Sequence, residues 1–536
     1  MGMIKVLDCT LRDGGCVNNF EFGENYIFKI LDSLKKSNVD AIECGYIDNQ
    51  KGSESGRTQY ISEEAVEKTI NSVGKDQKKY LAMIDYGKYD LTKLPHRSAN
   101  TIDGIRLAFH KEKISEAIVA AKIILTKGYE LFVQPMIAMR YTDAEMLSLI
   151  QSVNEELADA TAFYLVDSFG EMRAEDVKRF CYLIDNNLNS KIAMGFHSHN
   201  NLQMSYSNAI EIIGMNLDRD IYIDSSILGM GKGAGNLNTE LLLEYMNRYK
   251  KKEYRITPLL TAIDEVLNQI YAETPWGYSI EYYLSSVNHC TPSYAGYYYN
   301  KHTLRIEQIS DLLSKIDDAK KISFDKKYAE NLFIEYCERK QDDQKVVEKY
   351  TKLLNNKVVL IIAPGKSISK YEDEILNTCN NSNVYTISLN SYVGIETDLT
   401  IITKSMLNMH EIRHRHILVT SNVELDMPHI DVLDYEKWIN KDSIEGDSAI
   451  VIAFNFLKAC GVKKVILAGC DGFSACISEN YYNSAYNRPI LYNQADERNQ
   501  YIAGEIKRIK EFIEVKFLTP SKYEEIINEM DKGLGE

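Results

Sequence analysis

Several features that mark other classes of protein are missing from this sequence of 536 residues. It has no run of about 18 apolar residues, which is the length that spans a bilayer, and no charged and then apolar leader at its amino terminus. None of its 10 cysteines forms a CxxC pair, which argues against a disulfide framework and a zinc ribbon. These absences predict a cytoplasmic protein with reduced thiols and no membrane span.

Acidic residues outnumber basic ones: the sequence has 62 lysines and arginines against 77 aspartates and glutamates, and its formal net charge is -15. Nucleic-acid phosphates require a basic surface, so we expect no nucleic-acid partner. Prolines number only 9, and with 45% hydrophobic residues the composition predicts globular domains rather than disorder. Since single cores stop growing at about 250 to 300 residues, we predict two or three domains.

The first half of the sequence alternates apolar runs with helical stretches. In stretches 24–38 and 116–128, apolar residues fall at i, i+3, i+4 and i+7, as on an amphipathic helix. The β-branched, apolar runs lie at 5–11, 40–46, 79–85, 104–109, 130–138, 162–169, 192–199 and 222–231. Eight strand–helix units in about 240 residues are typical of a TIM barrel, and a large doubly wound sheet is the alternative. We therefore predict a (β/α)8 barrel over residues 1–250.

The rest of the sequence divides into two parts. Residues 251–350 are rich in tyrosine and then in charged helical segments, which predicts a helical extension and linker. Further apolar runs follow at 357–365, 383–390, 398–403, 415–421, 463–471 and 514–520, with helical segments between them. This alternation predicts an open, doubly wound parallel sheet of Rossmann-like type in residues 351–536.

Polar residues follow the predicted barrel strands, at the end where TIM barrels carry their active sites. They are Arg12 and Asp13 after strand 1, Glu43 in strand 2, Asp167 and Ser168 at strand 6, His197 and His199 at strand 7, and Asn236 after strand 8. In an extended strand, His197 and His199 project from the same side. With Asp13 they form a two-histidine, one-carboxylate set that leaves coordination positions open on a divalent metal. The alternative is a pair of solvent-facing histidines.

Four ordered motifs, "DCTLRDGG", "VDSFG", "FHSHNN" and "GMGKGAGNLNTE", resemble those of the DRE-TIM metallolyase superfamily. Its members include 4-hydroxy-2-oxoacid aldolases, HMG-CoA lyase, and isopropylmalate and homocitrate synthases. The motifs "TLRDG", "DSFG" and "GAGN" are most similar to the 4-hydroxy-2-oxovalerate aldolase branch. The resemblance implies a carbon–carbon lyase that acts on a small 2-oxo acid and an aldehyde.

The resemblance also implies roles for the residues of these motifs. Asp13, His197 and His199 would hold Mn²⁺ or Mg²⁺, and Asn236 would support the metal or the substrate. Arg12 would stabilise the enolate oxygen of a substrate such as pyruvate. Asp167 and Ser168 would contact the same substrate.

One position departs from the aldolase pattern, which has a histidine shortly after "RDG" as the acid–base candidate. This sequence has Cys16 there, which is either a proton donor or a small apolar residue. Glu43, Tyr46 and Tyr294 are the other candidate proton carriers. The proton carrier and the aldehyde therefore stay open at this point.

The second domain begins with "LIIAPGKSIS", a strand that enters a Pro-Gly turn able to direct backbone N–H groups at a phosphate. With "ISLNSYV" and "GDSAIVIAFNFLKACGVKKVILAGCDGF" it resembles the DUF115 or MptE-like proteins, the motility accessory factor glycosyltransferases and bacterial sialyltransferases. The resemblance implies a nucleotide or nucleotide-sugar pocket lined by Gly365, Ser367, Asn390, Asp447, Ser448 and Asp471. After Phe473 no histidine occurs, although the sialyltransferases place their proposed base in that region.

These interpretations predict a metal-dependent aldolase or lyase fused to a domain with a glycosyltransferase-like or nucleotide-binding role. We expect a homo-oligomer, and the fusion suggests surface glycan biosynthesis. Two alternatives remain: a Claisen synthase or lyase that uses an acyl-CoA thioester, and a nucleotide-sensing regulatory protein whose barrel is inactive.

Overall fold

The computed structural model describes residues 2–53, 55–98, 100–301, 303–338, 342–404, 416–425, 430–441, 445–483 and 495–532. The chain forms two compact units. The first comprises Met1–Gly296 with Lys321–Ser323, and the second Tyr297–Lys320 with Phe324–Glu536. Among the described residues, no helix is both long and apolar enough to cross a membrane.

In the described part of the first unit, eight parallel strands close into a barrel. They are β1 (Ile4–Asp8), β2 (Ala41–Ile47), β4 (Lys79–Asp85), β5 (Gly104–Phe109), β6 (Glu130–Pro135), β7 (Ala162–Asp167), β8 (Ala193–Ser198) and β9 (Ile221–Ser225). The strands pair in chain order, and β1 pairs with both β9 and β2, which closes the ring. The short β3 (Gln59–Tyr60) lies beside β2. The predicted TIM barrel is confirmed.

Helices surround the barrel and continue beyond it. They are α1 (Glu24–Ser37), α2 (Glu63–Ser72), α3 (Ile114–Thr126), α4 (Asp143–Glu156), α5 (Ala174–Asn187), α6 (Ser205–Gly214), α7 (Thr239–Lys250), α8 (Thr257–Ala262), α9 (Asn268–Glu273), α10 (Ile280–Val287) and α11 (Pro292–Asn300). In α1 the buried Ile27, Ile30, Leu31 and Leu34 form the stripe that the spacing predicts. This stripe packs in the core between strands and helices.

The interior of the barrel is apolar at its centre and charged towards one end. Phe132 on β6 makes edge-on contacts with Tyr222 and packs near Tyr164, which fills the middle of the barrel. Parallel strands end together, so the turns after β1, β4, β7, β8 and β9 meet at the carboxyl-terminal mouth. The candidate site lies at this mouth.

The described part of the second unit contains a seven-stranded parallel sheet. Its strands are β10 (Val358–Ile362), β11 (Val384–Leu389), β12 (Leu399–Ile402), β13 (Ile417–Thr420), β14 (Ile430–Leu433), β15 (Lys464–Ala468) and β16 (Glu514–Phe517), in the order β14-β13-β12-β11-β10-β15-β16. The strand order runs outward from β10 in both directions. The predicted doubly wound parallel sheet is confirmed, with β14 as a strand that the sequence patterns missed.

The helices of the second unit are α12 (Ile306–Ser314), α13 (Lys326–Cys337), α14 (Gln344–Leu353), α15 (Glu372–Cys379), α16 (Tyr435–Trp438), α17 (Ala449–Ala459), α18 (Ala495–Lys510) and α19 (Lys522–Lys532). The apolar α17 is buried along most of its length beside the sheet. The turn after β10 and the turn after β15 meet where Gly365 N donates to the carbonyl of Gly469. Ligands of doubly wound sheets bind at such a reversal of strand order.

Candidate metal centre

A cluster of two histidines and one aspartate lies at the mouth of the barrel. Asp13 follows β1, while His197 and His199 lie at the end of β8, and all three are buried. One candidate ligand atom from each lies within 4.8 Å of those from the other two. The structure thus brings together the three residues that the HxH spacing and the "RDGG" motif predicted as metal ligands.

The electrostatic environment suits these side chains to metal binding. Burial opposes the charge on Asp13, but the positive charge of Arg12 and the other favourable contacts of the carboxylate together outweigh burial and hold the pKa of Asp13 well below its ordinary value. Burial lowers the pKa of His199 to about 4, so its imidazole is neutral at neutral pH. A carboxylate and a neutral imidazole are the forms that coordinate divalent ions.

Two of the polar atoms that have no hydrogen-bond partner among the described residues are potential metal ligands at the cluster. They are His199 Nδ1 and Asn236 Oδ1, and both are buried. Asn236 is fixed by its amide nitrogen, which donates to Asp13 Oδ2 at 2.8 Å and to the carbonyl of Met230 at 3.3 Å. An unpartnered buried polar atom costs about 1–3 kcal/mol, and a metal ion would satisfy both atoms. The residues present therefore fit a divalent cation.

Arg12 lies directly beside the cluster. Its Nε donates to Glu43 Oε2 at 2.8 Å and its Nη1 donates to Asp13 Oδ1 at 2.5 Å. Its Nη2 is buried and has no hydrogen-bond partner among the described residues. The ring of Tyr46 lies 5.8 Å from the guanidinium carbon. Arg12 is thus held in place by two carboxylates and keeps one N–H group free for an anionic oxygen.

Inside the barrel, Arg106 contacts carboxylates on two other strands, Glu43 on β2 and Asp224 on β9. This arginine on β5 is fully buried and donates from Nη1 to Glu43 Oε2 at 2.7 Å and from Nη2 to Asp224. Asp224 in turn pairs with His197 Nδ1 at 2.9 Å, which fixes the ring and leaves its other nitrogen for the cluster. A chain of charged contacts therefore runs from Arg12 through Glu43, Arg106 and Asp224 to His197.

Arg106 and Asp224 are residues of the site that the sequence motifs did not identify. Their signal was a charged residue in the middle of an apolar strand, in "GIRLAF" and "IYIDS". Such residues are rarely buried unless they are paired, so each predicts a buried partner without naming it.

Replacing Arg106 with methionine is expected to destabilise the first unit by about 3–5 kcal/mol, because it removes the buried positive charge between two carboxylates and leaves Glu43 with Arg12 and Asp224 with the His197 ring. The protein has two tryptophans, Trp276 in the first unit and Trp438 in the second. In a Trp438→Phe background Trp276 is the remaining tryptophan, so tryptophan fluorescence during urea unfolding follows the first unit.

The matched control for this prediction is Arg248→Met. Arg248 lies on α7 of the same unit and is exposed, with a side chain 67% accessible. Such surface changes alter stability by about 0.5 kcal/mol or less. Equal unfolding midpoints for the two variants would contradict the structural role of Arg106.

Other predicted residues of the barrel have contacts of a different kind. Asp167 accepts the backbone N–H groups of Glu171 and Met172, and Ser168 Oγ accepts that of Ile137. Burial raises the pKa of Asp167 to about 7. These contacts fix the turn after β7, and substrate contacts by Asp167 and Ser168 stay a prediction.

The candidate proton carriers also differ in position. Glu43 is fully buried and holds the two arginines, which is a positioning role. Tyr294 is buried in α11, where its hydroxyl donates to the carbonyl of Ser323 at 3.2 Å. That hydrogen bond holds the Tyr294 side chain against the backbone at Ser323. Proton transfer by Tyr294 stays a prediction.

Cys16 lies in the short 3-10 turn Gly14–Cys16 after β1 and is exposed at the mouth. The surrounding protein partly desolvates the thiol and raises its pKa to about 12, and the negative charge of Asp13 contributes to this rise. The thiol therefore keeps its proton at neutral pH. It could donate a proton there but could not act as a base.

In the second unit, three of the predicted pocket residues meet at the reversal of strand order. Asp471, after β15, accepts the Ser367 backbone N–H at 2.7 Å and also the Ser367 hydroxyl. A Cβ on Gly365 would lie only 2.6 Å from the Asp471 carboxyl carbon. The turn therefore encloses the Asp471 carboxylate. This carboxylate accepts the Ser367 backbone N–H group, which the sequence pattern had offered to a phosphate.

The remaining predicted pocket residues have other partners. Asn390, after β11, donates from its amide to Thr403 Oγ1, and Asp447 accepts the hydroxyls of Thr303 and Tyr435. Ser448 precedes α17. Nucleotide binding by these residues stays a prediction.

The fold and site together define a TIM-barrel protein with a candidate divalent-metal centre at its mouth. Residues 3–267 match the model of the HMGL-like family. The barrel of this chain, residues 3–267, therefore belongs to the HMGL-like family, within the DRE-TIM superfamily. The superfamily resemblance predicted from the four motifs is confirmed.

Two curated relatives illustrate the range of similar proteins. A 4-hydroxy-2-oxovalerate aldolase of Pseudoalteromonas translucida is 28% identical over 249 residues, which is 46% of this chain and 70% of the relative. An oxaloacetate decarboxylase of Mycobacterium tuberculosis is 22% identical over 277 residues, 52% of this chain and 79% of the relative. Among solved structures, the N-terminal domain of a "putative aldolase" from Bacteroides vulgatus is 30% identical, with 55% of this chain and 96% of that chain covered and a TM-score of 0.48.

Proposed function

We propose that the first unit is a divalent-metal-dependent lyase that cleaves or forms a carbon–carbon bond next to the enolate of a 2-oxo acid, as a 4-hydroxy-2-oxo acid aldolase does. The observation that carries this proposal is the buried cluster of Asp13, His197 and His199 with the free N–H group of Arg12 beside it. The curated aldolase relatives support the same reaction class.

In this proposal Asp13, His197 and His199 hold the metal, with Asn236 as a further oxygen ligand. A bound divalent ion would act as a Lewis acid towards the carboxylate and keto oxygens of the 2-oxo acid. Arg12 donates from Nη2 to the oxygen that becomes negative, so that fixed positive charge lies where charge develops. Because Glu43 and Asp13 already hold the guanidinium, little reorganisation is needed during the reaction.

The cleavage requires two proton transfers. A base takes the proton of the 4-hydroxyl group, the C3–C4 bond breaks, and the aldehyde leaves. The electron pair of that bond stays in the pyruvate enolate, which then takes a proton at C3. In the direction of synthesis the same steps run in reverse, starting with removal of a C3 proton from pyruvate.

The direct test is release of pyruvate from a series of 4-hydroxy-2-oxo acids, coupled to lactate dehydrogenase and followed by NADH oxidation. Protein stripped with EDTA is expected to be inactive and to recover on addition of Mn²⁺ or Mg²⁺. Equal turnover before and after metal removal would rule out the proposed chemistry. So would a lack of pyruvate from every substrate in the series, with metal present.

Decarboxylation of a 2-oxo dicarboxylic acid is a second candidate function. It forms the same enolate but releases CO₂ instead of an aldehyde, so it needs no base for a hydroxyl proton. The cysteine at position 16, where the aldolase pattern has histidine, favours this candidate, and one relative is an oxaloacetate decarboxylase. Release of CO₂ from oxaloacetate without cleavage of any 4-hydroxy-2-oxo acid would select it.

For the second unit we propose a binding role towards a nucleotide or nucleotide-sugar, as the resemblance of residues 355–520 implies. The meeting of the turns after β10 and β15 supports this proposal. The contact between Asp471 and Ser367 requires that the ligand either displace the carboxylate or bind beside it. Glycosyl transfer, a role in surface glycan synthesis and homo-oligomer formation stay predictions.

A further inference from the structure

The proposed reaction needs a base, and the groups so far described at the mouth do not supply one. Cys16 holds its proton at neutral pH. Burial, and after it the negative charge of Asp85, raises the pKa of Tyr46 far above its ordinary value, so this phenol also holds its proton. His197 and His199 are assigned to the metal, and Glu43 is fully buried and contacts both arginines through Oε2.

Asp85 is a further carboxylate at the mouth, outside the four sequence motifs. It is the last residue of β4, and its side chain is half-buried at the carboxyl-terminal end of the barrel. Its Oδ1 is buried and has no hydrogen-bond partner among the described residues. The corresponding oxygen of the neighbouring Asp48 does have partners, because it accepts the backbone N–H groups of Gln50 and Lys51.

Charged and titratable groups from several elements face Asp85. They are Arg12 and Cys16 from the turn after β1, Tyr46 and Asp48 from the end of β2, Lys88 from its own turn and Lys232 from the turn after β9. Asp85 therefore shares the mouth with Arg12, the residue assigned to the enolate oxygen. Cys16 and Lys232 are exposed, so solvent reaches this side of the mouth.

We propose that Asp85 is the acid–base residue of the barrel, which carries the proton between the 4-hydroxyl group and C3 of the 2-oxo acid. This inference rests on the proposed function. In cleavage, Asp85 takes the 4-hydroxyl proton as the C3–C4 bond breaks and the aldehyde leaves. It then gives that proton to C3 of the enolate, so pyruvate forms and Asp85 returns to its carboxylate form.

The electrostatics agree with this role. Burial raises the pKa of Asp85 to about 6, while Arg12, Lys88 and Lys232 limit the rise. A base with a pKa near the working pH combines a useful unprotonated fraction with adequate basicity. Since the base form is the carboxylate, activity is expected to be lost as the pH falls through about 6, the pKa of Asp85.

Exchange of the methyl protons of pyruvate in D₂O tests the inference without knowledge of the aldehyde. Protein with Mg²⁺ and pyruvate is followed by proton NMR as the methyl signal disappears. Asp85→Asn is expected to slow exchange by about 10²–10⁴-fold, the usual contribution of general acid–base catalysis. Asp85→Glu, which keeps a carboxylate, is expected to restore part of the rate, and the loss of rate near pH 6 is expected to disappear in Asp85→Asn.

The matched control is Asp90→Asn, which removes an exposed aspartate from the following turn with the same change in charge. This variant is expected to exchange as the wild type does. Calorimetric titration with Mn²⁺ alone is expected to give equal affinity for wild type and Asp85→Asn, which separates proton transfer from a damaged site.

The outcomes separate the two proposals. Absence of exchange in the wild-type protein would contradict the proposed function. Wild-type exchange that persists unchanged in Asp85→Asn would overturn the role of Asp85 alone. If Cys16→Ala stops exchange while Asp85→Asn does not, the thiol is the proton carrier and the inference is wrong.

Discussion

Asp13→Asn is expected to lose tight metal binding and, with it, all turnover of 2-oxo acids. The change keeps the shape of the side chain but removes the carboxylate charge from the cluster with His197 and His199. Loss of groups that merely orient a metal ligand already weakens binding by about 10- to 100-fold, so loss of a charged ligand is expected to exceed that range. Arg12 would also lose the negative charge that its Nη1 now contacts.

Calorimetric titration of EDTA-treated protein with Mn²⁺ measures this effect independently of activity. Asp143→Asn provides the control, because Asp143 is an exposed residue at the start of α4 and the change in charge is the same. His199→Gln is a second variant that tests the same cluster if Asp13→Asn folds poorly. Wild-type Mn²⁺ affinity in both cluster variants would show that the ion binds elsewhere.

Arg12→Lys is expected to lower kcat by about 10²–10³-fold, the usual loss when a group that stabilises a developing oxyanion is removed. Lysine keeps the positive charge but cannot donate to Glu43, Asp13 and a substrate oxygen in the fixed directions of a guanidinium. The ammonium is expected to pair with the two carboxylates and to leave the substrate oxygen without its donor.

Steady-state assays with pyruvate detection measure this loss, and Mn²⁺ titration is expected to give an affinity close to that of the wild type. Arg248→Lys on α7 is the matched control at an exposed position. An unchanged kcat in Arg12→Lys would mean that positive charge alone is sufficient and that the guanidinium geometry is not used. A parallel loss of metal affinity would instead assign Arg12 to support of Asp13.

The sequence patterns located the elements of both folds closely. The predicted runs at 79–85 and 104–109 coincide with β4 and β5, because strands buried on both faces are continuous apolar segments bounded by polar turns. The strand β14 was missed because only one of its four residues, Leu433, is buried. An edge strand with little burial has no distinctive apolar run, so its place was decided by pairing with β13.

The candidate site was predicted in part. His197 and His199 could be paired from the sequence because alternate residues of a strand share a face, and "RDGG" placed Asp13 at the same mouth. The roles of Glu43, Asp167 and Ser168 depend on which atoms face them across the barrel. Spacing along the chain does not contain that information.

The sequence by itself determined the fold class, the mouth of the barrel and the candidate metal ligands, because periodicity and motif position are local properties of the chain. Only the tertiary structure joined Arg106 to Glu43 and Asp224, and only it left Asp85 Oδ1 buried without a partner among the described residues. Closing eight strands into a ring brings together residues more than a hundred positions apart, and burial then fixes which charges pair and which pKa values shift.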